Sequence, residues 1–191
     1  MILLCIVTIF SKSTTANADD RYVKLCERYF TEFAEDYGKF GQKDGFTYLY
    51  SDKKNTATIV AIPMEQKKVA VPEKINGKTV TKIELMDVFS CSSNYYFRDE
   101  FYGEHEDNPV PKVEYLSIPK TVKVINIYAG IGLTEGYCGE LQSYLVHLKK
   151  FNVASANKWY RSYKGMLYTK NGKKLLLVPR KYMAKTVKVK K

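Results

Sequence analysis

Three stretches of this chain set apolar residues two apart and then stop the strand they begin. Val113, Leu116, Ile118, Pro119, Val122 and Ile125 follow one rule, L-x-x-L-x-I-P-x-x-V-x-x-I. Its middle recurs in Val69, Val71, Pro72 and Ile75, and its start in Leu148, Phe151 and Val153. Apolar residues two apart turn one face of a short strand toward a core. A proline directly after them cannot donate to a ladder and ends the strand. The next apolar residues bring the chain back inward. Such coils bury their faces only by stacking, so each strand is expected to join a parallel sheet. The spacing between the triplets is unequal. The first interval has room for two coils of about 23 residues, the second for one coil and an insertion.

The chain before the first triplet differs in texture. Leu25, Tyr29, Phe30, Phe33, Tyr37 and Phe40 recur at three- and four-residue steps, which predicts a helix within 19–45 that ends at Gly38 and Gly41. A terminal repeat would otherwise expose its apolar face, so this helix is expected to act as a cap. From Gly45 the pattern alternates. Phe46, Tyr48 and Tyr50 face Ala57, Ile59 and Ala61 across a polar turn at Asp52–Asn55, the signature of a hairpin over 46–61. Asn76-Gly77 signals a tight turn before Val80 and Ile83. Residues 92–112 are polar, aromatic and aperiodic, and residues 130–147 carry Gly130, Gly132, Gly136 and Gly139; both read as insertions. Loops on a regular scaffold are frequent binding sites.

At the N-terminus, MILLCIVTIF is too short to span a bilayer. With Ala16-Asn17-Ala18 after it, the segment reads as a signal peptide over 1–18, leaving Asp19 first in an exported chain without a membrane span. Cys5 would leave with it. Cys26, Cys91 and Cys138 remain, an odd number with no C-x-x-C, which argues against a disulfide framework and a zinc site. The hydrophobic content of 45% is enough for a buried core, and the formal net charge of +11 favours polyanions through its long-range field. The basic residues form no nucleic-acid motif. The 16 tyrosines suit half-buried strand faces and contact surfaces.

These residues resemble the BspA-type leucine-rich repeats of bacterial surface proteins. A coil of that family reads approximately I-x-x-x-A-F-x-x-C-x-x-L-x-x-I-x-I-P-x-x-V. Ile83, Val88, Phe89 and Cys91 are similar to its first part, with Val for Ala and the cysteine one place early. Leu116, Ile118, Pro119, Val122 and Ile125 match the second part, and Ala129 and Cys138 look like a degenerate repeat of the first. Pro72, Ile75, Asn76, Gly77, Lys78, Val80, Thr81 and Ile83 match the family's P-x-x-I-N-G-K-x-V-T-x-I segment. Val153, Asn157, Tyr160, Ser162, Gly165, Leu167, Tyr168, Lys170, Leu175 and Pro179 match its later hairpin. The match runs from residue 45 to 191; insertions break its period, and it stops at TVKVKK where another coil is expected.

The resemblance implies a β-rich, α+β fold: a short irregular leucine-rich-repeat solenoid with a mostly parallel sheet, an N-terminal capping helix and hairpins. It also implies a secreted or cell-surface protein that binds a protein or cell-surface ligand, with no catalytic residues and no cofactor. An acidic polymer or glycan is the alternative partner, and an accessory role beside a larger secreted enzyme a third reading. The residues themselves carry little chemistry. His105 sits among Glu104, Glu106 and Asp107, where adjacent side chains seldom converge on one metal. His147 reads as a surface position on a strand or short helix, and nothing pairs it with Cys138. The candidate partner-binding residues are Tyr95, Tyr96, Phe97, Phe101 and Tyr102 in the first insertion.

Overall fold

The structure, a computed structural model, describes residues 23–24, 26–28, 31, 38–85, 110–126 and 145–182. Two parallel ladders organise them. The first joins β3 (Thr56–Ala61), β6 (Lys78–Ile83) and β8 (Val124–Ile125), with Ile59, Ile83 and Ile125 in one rung. The second joins β4 (Lys68–Ala70), β7 (Tyr115–Ile118) and β9 (Lys150–Val153), with Val69, Leu116 and Phe151 in one rung. The chain visits them alternately: β3, β4, β6, β7, β8, β9. The apolar triplets therefore stack in the register their spacing predicts. Ile118 lies opposite Val153, and the Val71 amide donates to Ser117 O at 3.0 Å.

The core lies between the ladders. Ile59, Val80 and Ile83 face it from the first ladder, and Val69, Leu116, Ile118 and Phe151 from the second; all are buried. Full burial of such a side chain stabilises by about 1.5–3 kcal/mol relative to exposure. Val113 and Leu148, three residues before Leu116 and Phe151, are fully buried as well. Burial of the L-x-x-L spacing at both ends explains why these positions recur.

Antiparallel elements close the ladders, and here the expected mostly parallel sheet is corrected. One sheet is mixed, one parallel and one antiparallel. β1 (Phe40–Lys43) and β2 (Phe46–Ser51) pair antiparallel and cover β3, with Tyr50 opposite Ala57. β5 (Lys74–Ile75) pairs antiparallel with β6. β10 (Tyr160–Tyr163), β11 (Met166–Thr169) and β12 (Leu175–Leu177) form a separate antiparallel sheet. The cause is turn chemistry. Asp44-Gly45, Asn76-Gly77 and Lys164-Gly165 each put two consecutive residues at positive φ, the pattern of two-residue hairpin turns. Such turns return the chain against its own preceding strand. Both hairpin groups also shield ladder strands that would otherwise present unpaired edges. β2 covers β3, and Gly165 O accepts from the Phe151 amide of β9 at 2.8 Å.

The expected N-terminal helix falls only partly within the described residues. Val23, Lys24, Cys26–Arg28 and Thr31 have helical backbone, and Gln42 Nε2 donates to Val23 O at 2.6 Å. Leu25, Tyr29, Phe30, Phe33 and Tyr37 lie outside the described residues. Phe40 does not continue a helix: it begins β1, opposite Leu49. A four-residue strand with Gly41 and Lys43 after Phe40 satisfies the tight turn at Asp44-Gly45, which a helix reaching that point would not.

Candidate functional site

Because Val69, Leu116 and Phe151 point inward, their neighbours in sequence point outward. The rung below them on the outer face is Lys68, Tyr115 and Lys150; the rung above is Ala70, Ser117 and Asn152. The two rungs differ in size, and that difference shapes the surface. Small side chains on the upper rung leave a depression of about 480 Å³ lined by Lys68, Val69, Ala70, Tyr115, Ser117 and Asn152. A second depression of about 340 Å³ shares Ser117 and Asn152 with it and extends past Pro119 to Val153 and Ala154.

Tyr115 forms a wall of this trough, half-buried, with the Lys68 ammonium 6.0 Å from its ring centre. A cation at this distance is weakly attracted to the ring. Lys150 stands next to Tyr115 in the register of β9, beside the lining of the depression. Its stem lies against Gly165, where an added Cβ would stand 2.9 Å from Lys150 Cγ; Gly165 also has φ +86°. Only glycine meets both conditions without strain. The β10–β11 turn thus steers the Lys150 side chain.

Charge at the strand entrance is ordered. Lys149 Nζ donates to Glu114 Oε2 at 2.8 Å. That bond, with the fields of Lys149, Lys67 and His147, holds the Glu114 carboxyl below its usual range, against the opposing effect of desolvation. The same bond raises the Lys149 ammonium. Lys68 and Lys150 take part in no ion pair among the described residues. The rung of Tyr115 therefore carries two cations without an ion pair among the described residues, and one of them, Lys68, lines the trough.

A separate depression of about 290 Å³ lies between Phe40, Gly41, Tyr48, Tyr50, Asp52, Asn76 and Lys78. Asp52 accepts from Lys39 at 2.8 Å and from Lys78 at 2.7 Å. The Lys39 hydrogen bond, then that of Lys78, lowers the Asp52 pKa to about 2. These ion pairs consume the charges of this depression.

Tyr95, Tyr96, Phe97, Phe101 and Tyr102 lie outside the described residues, as do His105, Cys91 and Cys138. His147 is exposed in a turn before β9, not on a strand or helix. Cys26 is buried. The trough residues were missed, although a signal existed. Once the triplets are aligned, the positions on either side of Val69, Leu116 and Phe151 name Lys68, Ala70, Tyr115, Ser117, Lys150 and Asn152 directly.

No protein-family model and no curated protein matches the chain. Among solved structures, it is similar to a leucine-rich cell surface protein from Faecalibacterium prausnitzii, at 16% identity and a TM-score of 0.37, over 65% of this chain and 26% of that one. It is similar to a leucine-rich-repeat protein from Eubacterium ventriosum, at 15% identity and a TM-score of 0.29, over 73% of this chain and 50% of that one. It is also similar to the pneumococcal vaccine antigen PcpA, at 16% identity and a TM-score of 0.23, over 74% of this chain and 56% of that one. The chain thus spans between a quarter and just over half of the length of these proteins.

Proposed function

We propose that this chain is a non-catalytic binding module, an irregular leucine-rich-repeat solenoid of the BspA type, that holds a ligand at the cell surface on the outer face of β4, β7 and β9. One observation carries the reading: the in-register rungs of that sheet place Lys68, Tyr115 and Lys150 beside a trough floored by Ala70, Ser117 and Asn152. Such a face offers area, an aromatic wall and positive charge, arranged by backbone pairing that needs no ligand to form it. Pre-organisation of this kind lowers the cost of binding. No helix among the described residues is long and apolar enough to cross a membrane. Tyr95, Tyr96, Phe97, Phe101 and Tyr102 belong to the proposal through their chemistry, five rings in the stretch of chain that leads into β7.

Retention on immobilised cell-surface extract tests it. Ala70→Glu with Ser117→Glu puts bulk and negative charge into the trough at outward positions. The double variant is expected to lose most of its retention while keeping the thermal unfolding of the parent. Full retention by a folded double variant would contradict the proposal.

A further inference from the structure

Resting on that reading of the face, we infer that the ligand class of the trough is an acidic polysaccharide lying across the strands, with a sugar ring against Tyr115 and its acid groups at Lys68 and Lys150. The argument begins with spacing. β4 and β9 flank β7, so the Cα atoms of Lys68 and Lys150, from which the two ammonium groups extend outward, stand two strand spacings apart, about 10 Å. That interval is close to the repeat of a disaccharide in an extended glycan, and so to the distance between acid groups carried once per disaccharide. The ring between the two cations is Tyr115, in the same rung. An aromatic ring packs against the apolar face of a pyranose while its hydroxyl stays in water. Ser117 and Asn152, one rung on, supply a hydroxyl and an amide where sugar hydroxyls would lie.

An acidic protein segment fits less well. Protein partners draw most of their affinity from large apolar or aromatic anchors seated in desolvated pockets. The large hydrophobic side chains exposed among the described residues are Val124, Trp159 and Tyr163, and none of them lines the trough. The trough is open, and Ser117 and Asn152 put a hydroxyl and an amide on its floor beside Ala70. Among the described residues, Lys68 and Lys150 are in no ion pair, and the nearby carboxylates are taken: Glu114 pairs with Lys149 and Glu65 with Lys112.

Titration calorimetry of the full chain, at low and physiological salt, decides the matter. The first probe is a hexasaccharide of alternating hexuronic acid and N-acetylhexosamine. The second is the same length of neutral oligosaccharide, and the third is hexaglutamate. The acidic hexasaccharide is expected to bind, with at least tenfold loss in Tyr115→Ala and in Lys68→Gln with Lys150→Gln. Tyr115→Phe keeps the ring and is expected to retain binding, which separates a contact role from a folding defect. If hexaglutamate binds as tightly and depends on the two lysines but not on Tyr115, the glycan assignment falls and the binding face stands. If no probe responds to any of these changes, the glycan assignment falls, and full retention of folded Ala70→Glu with Ser117→Glu on cell-surface extract would take the binding face with it.

Discussion

Asn157 grips the backbone of Val122 from 35 residues away, its Nδ2 donating to Val122 O at 2.9 Å. The same nitrogen donates to Pro119 O at 2.8 Å, and Oδ1 accepts from the amides of Trp159 and Tyr160, each at 2.8 Å. Asn157 is fully buried, so every one of these bonds stands in place of water. The side chain ties the antiparallel hairpin to the turn between β7 and β8. Tyr160 extends the clamp, accepting from the Ile125 amide at 3.1 Å and donating to Lys123 O at 3.2 Å.

Asn157→Leu is therefore expected to destabilise the protein by roughly 2–4 kcal/mol, because it leaves two carbonyls and two amides short of a partner. Asn157→Asp should cost a similar amount, since a carboxylate cannot donate to Pro119 and Val122. Urea unfolding checks both. An undiminished midpoint would show that the hairpin docks by other means.

The shared rung of Val69, Leu116 and Phe151 makes a second prediction. Phe151 is 1% exposed. Phe151→Ala is expected to lower stability by about 3–5 kcal/mol through lost contact and the cavity left behind. Lys158→Ala, at an exposed position two residues before β10, should change it by less than about 0.5 kcal/mol. The two unfolding curves can be compared directly.

Gly41 shows how closely β1 approaches its neighbour. A Cβ there would stand 2.5 Å from Tyr48 Oη, and the Tyr48 ring is buried and bonded to Asn76. Gly41→Ala forces the ring aside, and a loss of about 1–3 kcal/mol is expected. Tyr fluorescence and thermal unfolding would register the shift.

Asp52 sets a pH dependence. Its folded pKa, about 2, lies below its ordinary value because Lys39 and Lys78 bond its carboxylate. A depressed pKa means that the carboxylate contributes stability above its unfolded pKa, about 3.9, and that this contribution fades as pH falls through the folded value. The parent should therefore lose stability relative to Asp52→Asn between about pH 4 and pH 2. A carboxyl titration midpoint near 4 in the folded protein would refute the double ion pair.

The ladder was legible because its signal is periodic. Val69, Leu116 and Phe151 align by their apolar partners two residues on, and Pro72 and Pro119 mark where two of the strands stop. Asn76-Gly77 announced its turn for a similar reason, since few other residue pairs accept positive φ at both positions. Other features leave no periodic trace. The Asn157 clamp joins one side chain to carbonyls 35 and 38 residues away, and no local pattern reports it. Phe40 satisfies a helical spacing from Tyr37 and a strand alternation with Gln42 equally, and the turn after Lys43 decided between them. The trough lay one step further, in the residues between the apolar ones, which become a surface only after three distant strands are placed side by side.

Lysine labelling by mass spectrometry, with and without bound cell-surface extract, tests the binding face most directly. Lys68 lines the trough and Lys150 stands opposite Tyr115 on β9, while Lys53 and Lys173 are exposed on the β2–β3 and β11–β12 turns. Binding is predicted to protect Lys68 and Lys150 and to leave Lys53 and Lys173 as reactive as before. Protection of the turn lysines, with Lys68 and Lys150 still fully labelled, would contradict the assignment of β4, β7 and β9 as the working face.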